Sequence, residues 1–150
     1  MEKGAGNAQE TGNRKTGEED GKRMILLSLP YPPTVNHYWR HIVIGRSVRA
    51  VISAQGRQYK AVCSAMARRQ WAGRETLACP LAVEITFYPP DRRKRDLDNL
   101  PKSLFDSLTD AGVWKDDSLI QDLRTRWGPR TGEARAVVKI TKLEDQGLLW

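Results

Sequence analysis

Residues 81–106 read LAVEITFYPPDRRKRDLDNLPKSLFD, and this stretch decides the fold. Leu81, Val83, Ile85 and Phe87 alternate with smaller or polar residues, the period-two signature of a half-buried strand. Pro89 and Pro90 end that strand, because proline removes a ladder donor. A charged loop follows from Asp91 to Asp96. The pattern then predicts a helix from near Asn99, with Pro101 in the first turn, where a missing N–H costs nothing. Leu104, Phe105 and Leu108 supply its buried face, and Gly112 stops it.

Downstream, Ser118 to Trp127 and Arg135 to Leu143 read as two strands around a turn rich in Gly and Pro. Upstream, Ser53 caps a helix running to about Ala72, whose apolar face is Tyr59, Val62, Cys63, Met66 and Ala67. Met24 to Leu29 is a buried strand closed by Pro30-Tyr31-Pro32-Pro33. Between these lies Asn36 to Arg49, aromatic and basic around Gly45, which reads as a hairpin or an irregular loop able to approach DNA. His37 and His41 there, with Tyr38 and Trp39, suit either a structural role or a contact with DNA or a partner subunit, and neither histidine joins the catalytic set. The expected fold is α+β, a mixed β-sheet carrying two packed helices.

Residues 1–23 carry no aromatic residue and are rich in Gly, Glu, Lys, Asn and Thr, so they cannot bury enough surface to offset their ordering entropy. A disordered polar tail is expected there, followed by one domain over residues 24–150. Met24, where the apolar pattern begins, suits either a start of translation or a core residue. The length of 150 residues allows a single core. A net charge of +7 favours a polyanionic partner, since clustered cations release counterions from phosphates. Cys63 and Cys79 have no zinc or redox spacing and read as reduced core residues. No apolar run is long enough to span a membrane, and the N-terminus has no apolar signal-like stretch, so a cytoplasmic protein is expected.

The chemistry concentrates in Asp91 to Lys102. In an extended chain Asp96 and Asp98 project to one side while Leu97 turns inward. Two such charges about 4 Å apart repel by about 4 kcal/mol at an effective dielectric of 20, so the pair needs a cation, a proton or solvent. Magnesium is a hard, oxygen-seeking cation that suits a few carboxylates plus water and a phosphate. The alternative is simple pairing with the neighbouring arginines. Asn99 is placed to cap the helix, and Lys102 lies in its first turn, where an ammonium could stabilise charge on a pentavalent phosphate or orient an attacking water. A second acidic pair, Asp116-Asp117, follows Val113-Trp114. Arg92, Arg93, Lys94 and Arg95 suit either a grip on DNA phosphates or a solvated loop.

Three ordered motifs resemble one family. Pro30 to Asn36 matches P-x-P-P-x-x-N, Arg95 to Lys102 matches R-D-x-D-N-x-x-K, and Gly112 to Asp117 matches G-x-W-x-D-D, as in RusA-type Holliday junction resolvases, which are crossover junction endodeoxyribonucleases. The likeness covers about Met24 to Leu143, and the polar tail lies outside it. It implies a homodimer, often phage or prophage encoded, that binds four-way junction DNA and nicks two strands symmetrically with magnesium (Mg2+) in recombination and repair. It also implies that Asp96, Asp98 and Asp117 are the catalytic metal ligands and Lys102 the functional lysine, with no role carried over to Asp116. Metal-activated water would then attack the phosphodiester in line. Two other readings stand beside it: a non-catalytic basic DNA-binding module, or a nuclease for flaps and forks.

Overall fold

A computed structural model of the protein describes residues 18–19 and 22–143. In chain order the strands are β1 (Glu18–Glu19), β2 (Lys22–Pro30), β3 (Trp39–Ile44), β4 (Ser47–Ile52), β5 (Leu81–Tyr88), β6 (Ile120–Trp127) and β7 (Arg135–Lys142). The helices are α1 (Val35–Tyr38), α2 (Ala54–Trp71) and α3 (Pro101–Asp110), with short 3-10 turns at Leu97–Asn99 and Asp117–Leu119. The architecture is α+β with a mixed sheet, as the residue pattern predicts.

Five strands form one sheet in the order β1-β2-β7-β5-β6. β7 runs antiparallel to both β2 and β5, pairing Val138 with Leu27 on one side and with Ile85 on the other. β5 and β6 are parallel, with Val83 opposite Leu123 and Phe87 opposite Trp127. A parallel pair needs a crossover, which the residues from Pro89 to Leu119 supply by carrying α3 across the sheet. Leu27, Leu29, Leu81, Val83, Ile85, Phe87, Val138 and Ile140 fill the sheet side of the core. Tyr59, Cys63, Ala67 and Trp71 of α2, with Leu104, Phe105 and Leu108 of α3, cover it. Of Asn36 to Arg49, the first three residues belong to α1 and the rest form a hairpin: β3 and β4 make a separate two-stranded ribbon that turns at Gly45, where φ is 62°.

Several boundaries differ from the sequence reading. β2 starts at Lys22 rather than Met24, because Lys22 and Arg23 pair with Glu19 and Glu18 in a polar ladder that hydrophobic patterning cannot detect. The remainder of the expected tail, and residues 144–150, lie outside the described residues. The first residues of the expected strand at Ser118 belong to a 3-10 turn, and β6 begins at Ile120. Val62, expected on the buried face of α2, is 48% exposed. The buried side of α2 is narrower than the apolar pattern, since Cys63 and Ala67 pack inward while Val62 lies at the margin, outside the core cluster. Cys63 is buried and Cys79 half-buried, both free thiols. Among the described residues, no helix is long and apolar enough to cross a membrane.

Candidate active site

α3 directs the site. Pro101 occupies its first turn and is buried, so the helix start is fixed against the core while Lys102 beside it stays exposed. The preceding acids are not on an extended strand. Asp96 precedes the 3-10 turn Leu97–Asn99, which places Asp98 within the turn and packs Leu97 against the core. The Asn99 amide donates to the Asp96 carbonyl at 3.2 Å, closing the turn, and the Asn99 side chain lies 3.4 Å from Asp96 Oδ2. Asn99 therefore binds back to Asp96 instead of capping α3, whose N-cap is Leu100, with no side-chain cap. A Pro in the first turn lowers the need for a cap by removing one donor.

The second acidic segment is brought back by a buried anchor. After α3, Gly112 adopts φ 78° and the Val113 amide donates to the Leu108 carbonyl at 3.1 Å, which ends the helix. Val113 and Trp114 are fully buried; the Trp114 indole donates to Thr109 Oγ1 at 2.7 Å and its ring meets Phe105 edge to face. The backbone on either side bonds to Leu77, with the Leu77 amide donating to Val113 O and the Lys115 amide to Leu77 O. Held there, the chain delivers Asp117 to α3: Lys102 Nζ lies 3.3 Å from Asp117 Oδ2 and 3.5 Å from Asp106 Oδ1. Partial burial of Lys102 opposes its charge, yet Asp106 and Asp117 outweigh that effect and hold its pKa above the ordinary lysine value. Asp116 makes no ion pair with Lys102 among the described residues; it accepts a short hydrogen bond from the Ser118 hydroxyl, which with the neighbouring backbone keeps its carboxyl acidic.

Asp96 and Asp98 are exposed, and Asp117 is half-buried. The turn that carries Asp98 packs against β6 and the turn that begins at Asp117 leads into it, so both acidic segments border this edge strand. Among the described residues, however, no three acidic, histidine or cysteine side chains stand close enough together to hold a metal ion. What the structure joins directly is Lys102 to Asp117. Asp106, an unremarked member of this group, was readable as an i, i+4 partner of Lys102.

The basic loop divides into two parts. Arg95 is only 14% exposed along its side chain; it pairs with Asp91 at 2.7 Å, donates to Arg93 O and lies over the Tyr31 ring at 5.9 Å. The Arg95 hydrogen bond, reinforced by the Arg93 amide, holds the Asp91 carboxyl down to about 2. Arg92, Arg93 and Lys94 remain exposed. Tyr31 links the proline-rich motif to this loop, and its ring also packs edge to face on Phe87. Asp91 had a sequence signal in its i, i+4 spacing to Arg95, whereas the Tyr31 contact had none.

Comparison with known proteins places these features in a family. Residues 30–141 match the family model described as endodeoxyribonuclease RusA. The chain is 37% identical over 120 residues to the crossover junction endodeoxyribonuclease RusA of Escherichia coli (strain K12), covering 80% of this chain and 96% of the relative. It is 38% identical, over the same length and coverage, to the proteins of that name from Shigella sonnei (strain Ss046) and Enterobacteria phage 82. A match of this length, spanning the proline-rich turn, the basic loop, both acidic segments and β7, means that the chain belongs to the RusA endodeoxyribonuclease family.

Proposed function

We propose that the protein is a magnesium-dependent, structure-selective endodeoxyribonuclease that resolves Holliday junctions by paired symmetric nicks, working in the cytoplasm as a homodimer in recombination and repair. Its nuclease domain spans residues 24–150. The observation that carries this reading is the link from Lys102 to Asp117 across 3.3 Å, which ties two acid-bearing segments distant in sequence to one helix start beside a basic loop. The relatives' shared name, crossover junction endodeoxyribonuclease, supports the substrate.

The donor set fits magnesium by its chemistry: Asp96, Asp98 and Asp117 offer only carboxylate oxygens, two of them on exposed side chains open to water and phosphate. These three residues would hold the ion, whose charge would have to draw them together, since they form no three-ligand cluster in this structure. When bound, magnesium supplies positive charge at the phosphate and lowers the pKa of water. The chain's own groups do the rest. Lys102 is a fixed cation next to the acids, suited to offset the charge that builds on phosphate oxygens during in-line attack. Arg92, Arg93 and Lys94 hold the DNA backbone, and Arg95, tied to Asp91 and Tyr31, keeps the loop in place. A two-fold symmetric pair of sites matches the symmetry of a four-way junction.

The test is to incubate the full-length protein with a mobile four-way junction, with and without magnesium, and map the nicks. Paired nicks at symmetric positions, present only with magnesium, are expected. Binding without any nicking would leave a DNA-binding module, and nicks confined to flaps or forks would move the substrate away from junctions.

A further inference from the structure

A groove of about 590 Å³ lies between the proline-rich turn, the outer face of α2 and the basic loop. Tyr31 and Pro33 line one wall, Gln55, Gln58 and Val62 another, and Arg93 and Lys94 the rim. We propose that this groove receives one unstacked nucleotide of branched DNA, taken from beside the branch point. The inference rests on the reading of the protein as an enzyme of branched DNA.

Four observations carry it. First, the volume is that of a small-ligand site, on the scale of about 300–1,000 Å³ rather than of a duplex. Second, Val62 is 48% exposed on a helix whose apolar pattern would bury it, so the groove has an apolar wall that none of the described residues covers. Third, Gln55, Gln58 and Val62 follow i, i+3, i+7 spacing on α2, setting two exposed carboxamides beside that wall. A carboxamide both donates and accepts, which is what the edge of a base requires. Fourth, no lining residue is acidic, while the Arg93 side chain is 85% exposed and Lys94 forms no ion pair among the described residues. The base thus finds an apolar surface and polar edge partners, and its phosphate finds two exposed cations, Lys94 and Arg93, the latter 3.9 Å from Asp91.

The groove adjoins the acids through the chain itself, because Arg95 lines it and Asp96 follows directly. Bases inside a continuous duplex are held by stacking on both sides. At a branch point that stacking is interrupted, and extruding a nucleotide costs least there. A seated nucleotide would report the branch and set the distance to the cut. The proline-rich motif, which holds no acid or base for the chemistry, then serves as one wall of this receptor.

The experiment uses the full chain without magnesium and fixed four-way junctions carrying 4-thiothymidine at successive positions around the branch. After irradiation, cross-linked peptides are mapped, and a gel shift on the same samples measures junction binding. Cross-linking is expected to concentrate at one branch-adjacent position and on peptides containing Tyr31 to His37 or Gln55 to Val62. In the Gln55→Ala/Gln58→Ala variant, with folding verified by thermal melting, the ratio of preferred to secondary nick positions in magnesium should fall about tenfold, the scale of one lost base contact. Because both side chains are exposed, this variant keeps its core. Even cross-linking at all positions, or cross-links only to other segments, with junction binding and paired nicking intact, would overturn the groove assignment alone. Failure to bind or nick junctions at all would overturn the proposed function and this inference with it.

Discussion

Lys102 stands between Asp106 and Asp117, and its value to the site is the charge it keeps. Burial opposes its charge, but Asp106 and Asp117 hold its pKa above the ordinary lysine value, which suits it to the proposed role of a cation rather than a base. Lys102→Met should lower the nicking rate by about 10²–10³-fold, the scale for loss of one group that stabilises transition-state charge, while Lys102→Arg retains part of it. Single-turnover rates with a pre-bound junction check this. Asp117→Asn should abolish nicking with junction binding retained, and Asp116→Asn should do less harm, because Asp116 is engaged by Ser118 instead of Lys102. An active Asp117→Asn protein would show that the third ligand is misassigned, and a more damaging Asp116→Asn that the neighbours' roles are reversed. Asp91 shows what pH does to the loop. Its folded pKa of about 2 lies below the ordinary 3.8, so the lock on Arg95 is complete above 3.8 and is lost only as pH falls toward about 2. A carboxyl NMR titration of Asp91 should find no midpoint near 3.8. At this scale the sequence showed the residue types and the local spacings, but the 15-residue return of Asp117 to Lys102 depends on a buried tryptophan that no local pattern positions.

Among the elements, β5 and α3 were the most legible, because alternation and a proline-led apolar face are local signals. The parallel partnership of β5 with β6 was not, since nothing within either strand encodes its neighbour. Asp96 to Asp98 illustrates the same limit at closer range: the expected i, i+2 projection fails because the backbone turns there, and Asn99 closes the turn onto Asp96. α2 also carries a constraint hidden from propensity. A Cβ built on Gly56 would lie 2.6 Å from the Tyr38 carbonyl oxygen and 2.8 Å from the Ile52 side chain. Replacing a helical Gly by Ala ordinarily stabilises by about 1 kcal/mol. Here Gly56→Ala should instead destabilise by about 1–3 kcal/mol, the cost of overpacking, by forcing α2 away from the turn that precedes the β3–β4 ribbon. Chemical denaturation of the two proteins decides the sign.

Over the whole molecule, charge and topology act together. With a net charge of +7 and three exposed cations in one loop, the protein should bind DNA with strong salt dependence. Replacing Arg92 and Arg93 with Ala should flatten the slope of log affinity against log salt by up to about 2, measured by salt titration of junction binding without magnesium. Identical slopes would remove the phosphate grip from this loop. The overall charge was plain from composition, whereas the division of the loop into a tethered Arg95 and exposed neighbours appears only when Tyr31 and Asp91 are brought to it. The sheet order has a different consequence. Among the described residues β7 is the last strand in chain order, yet it lies between β2 and β5, so neither has its main antiparallel partner until residue 142 has been made. On the ribosome the basic loop and every candidate catalytic residue therefore emerge before the sheet that supports them can close. A chain stopped after Trp127 should be rapidly digested by protease and unable to nick a junction. Synthesis thus runs ahead of support: the acids and the basic loop are all made before the strand that closes the sheet beneath them.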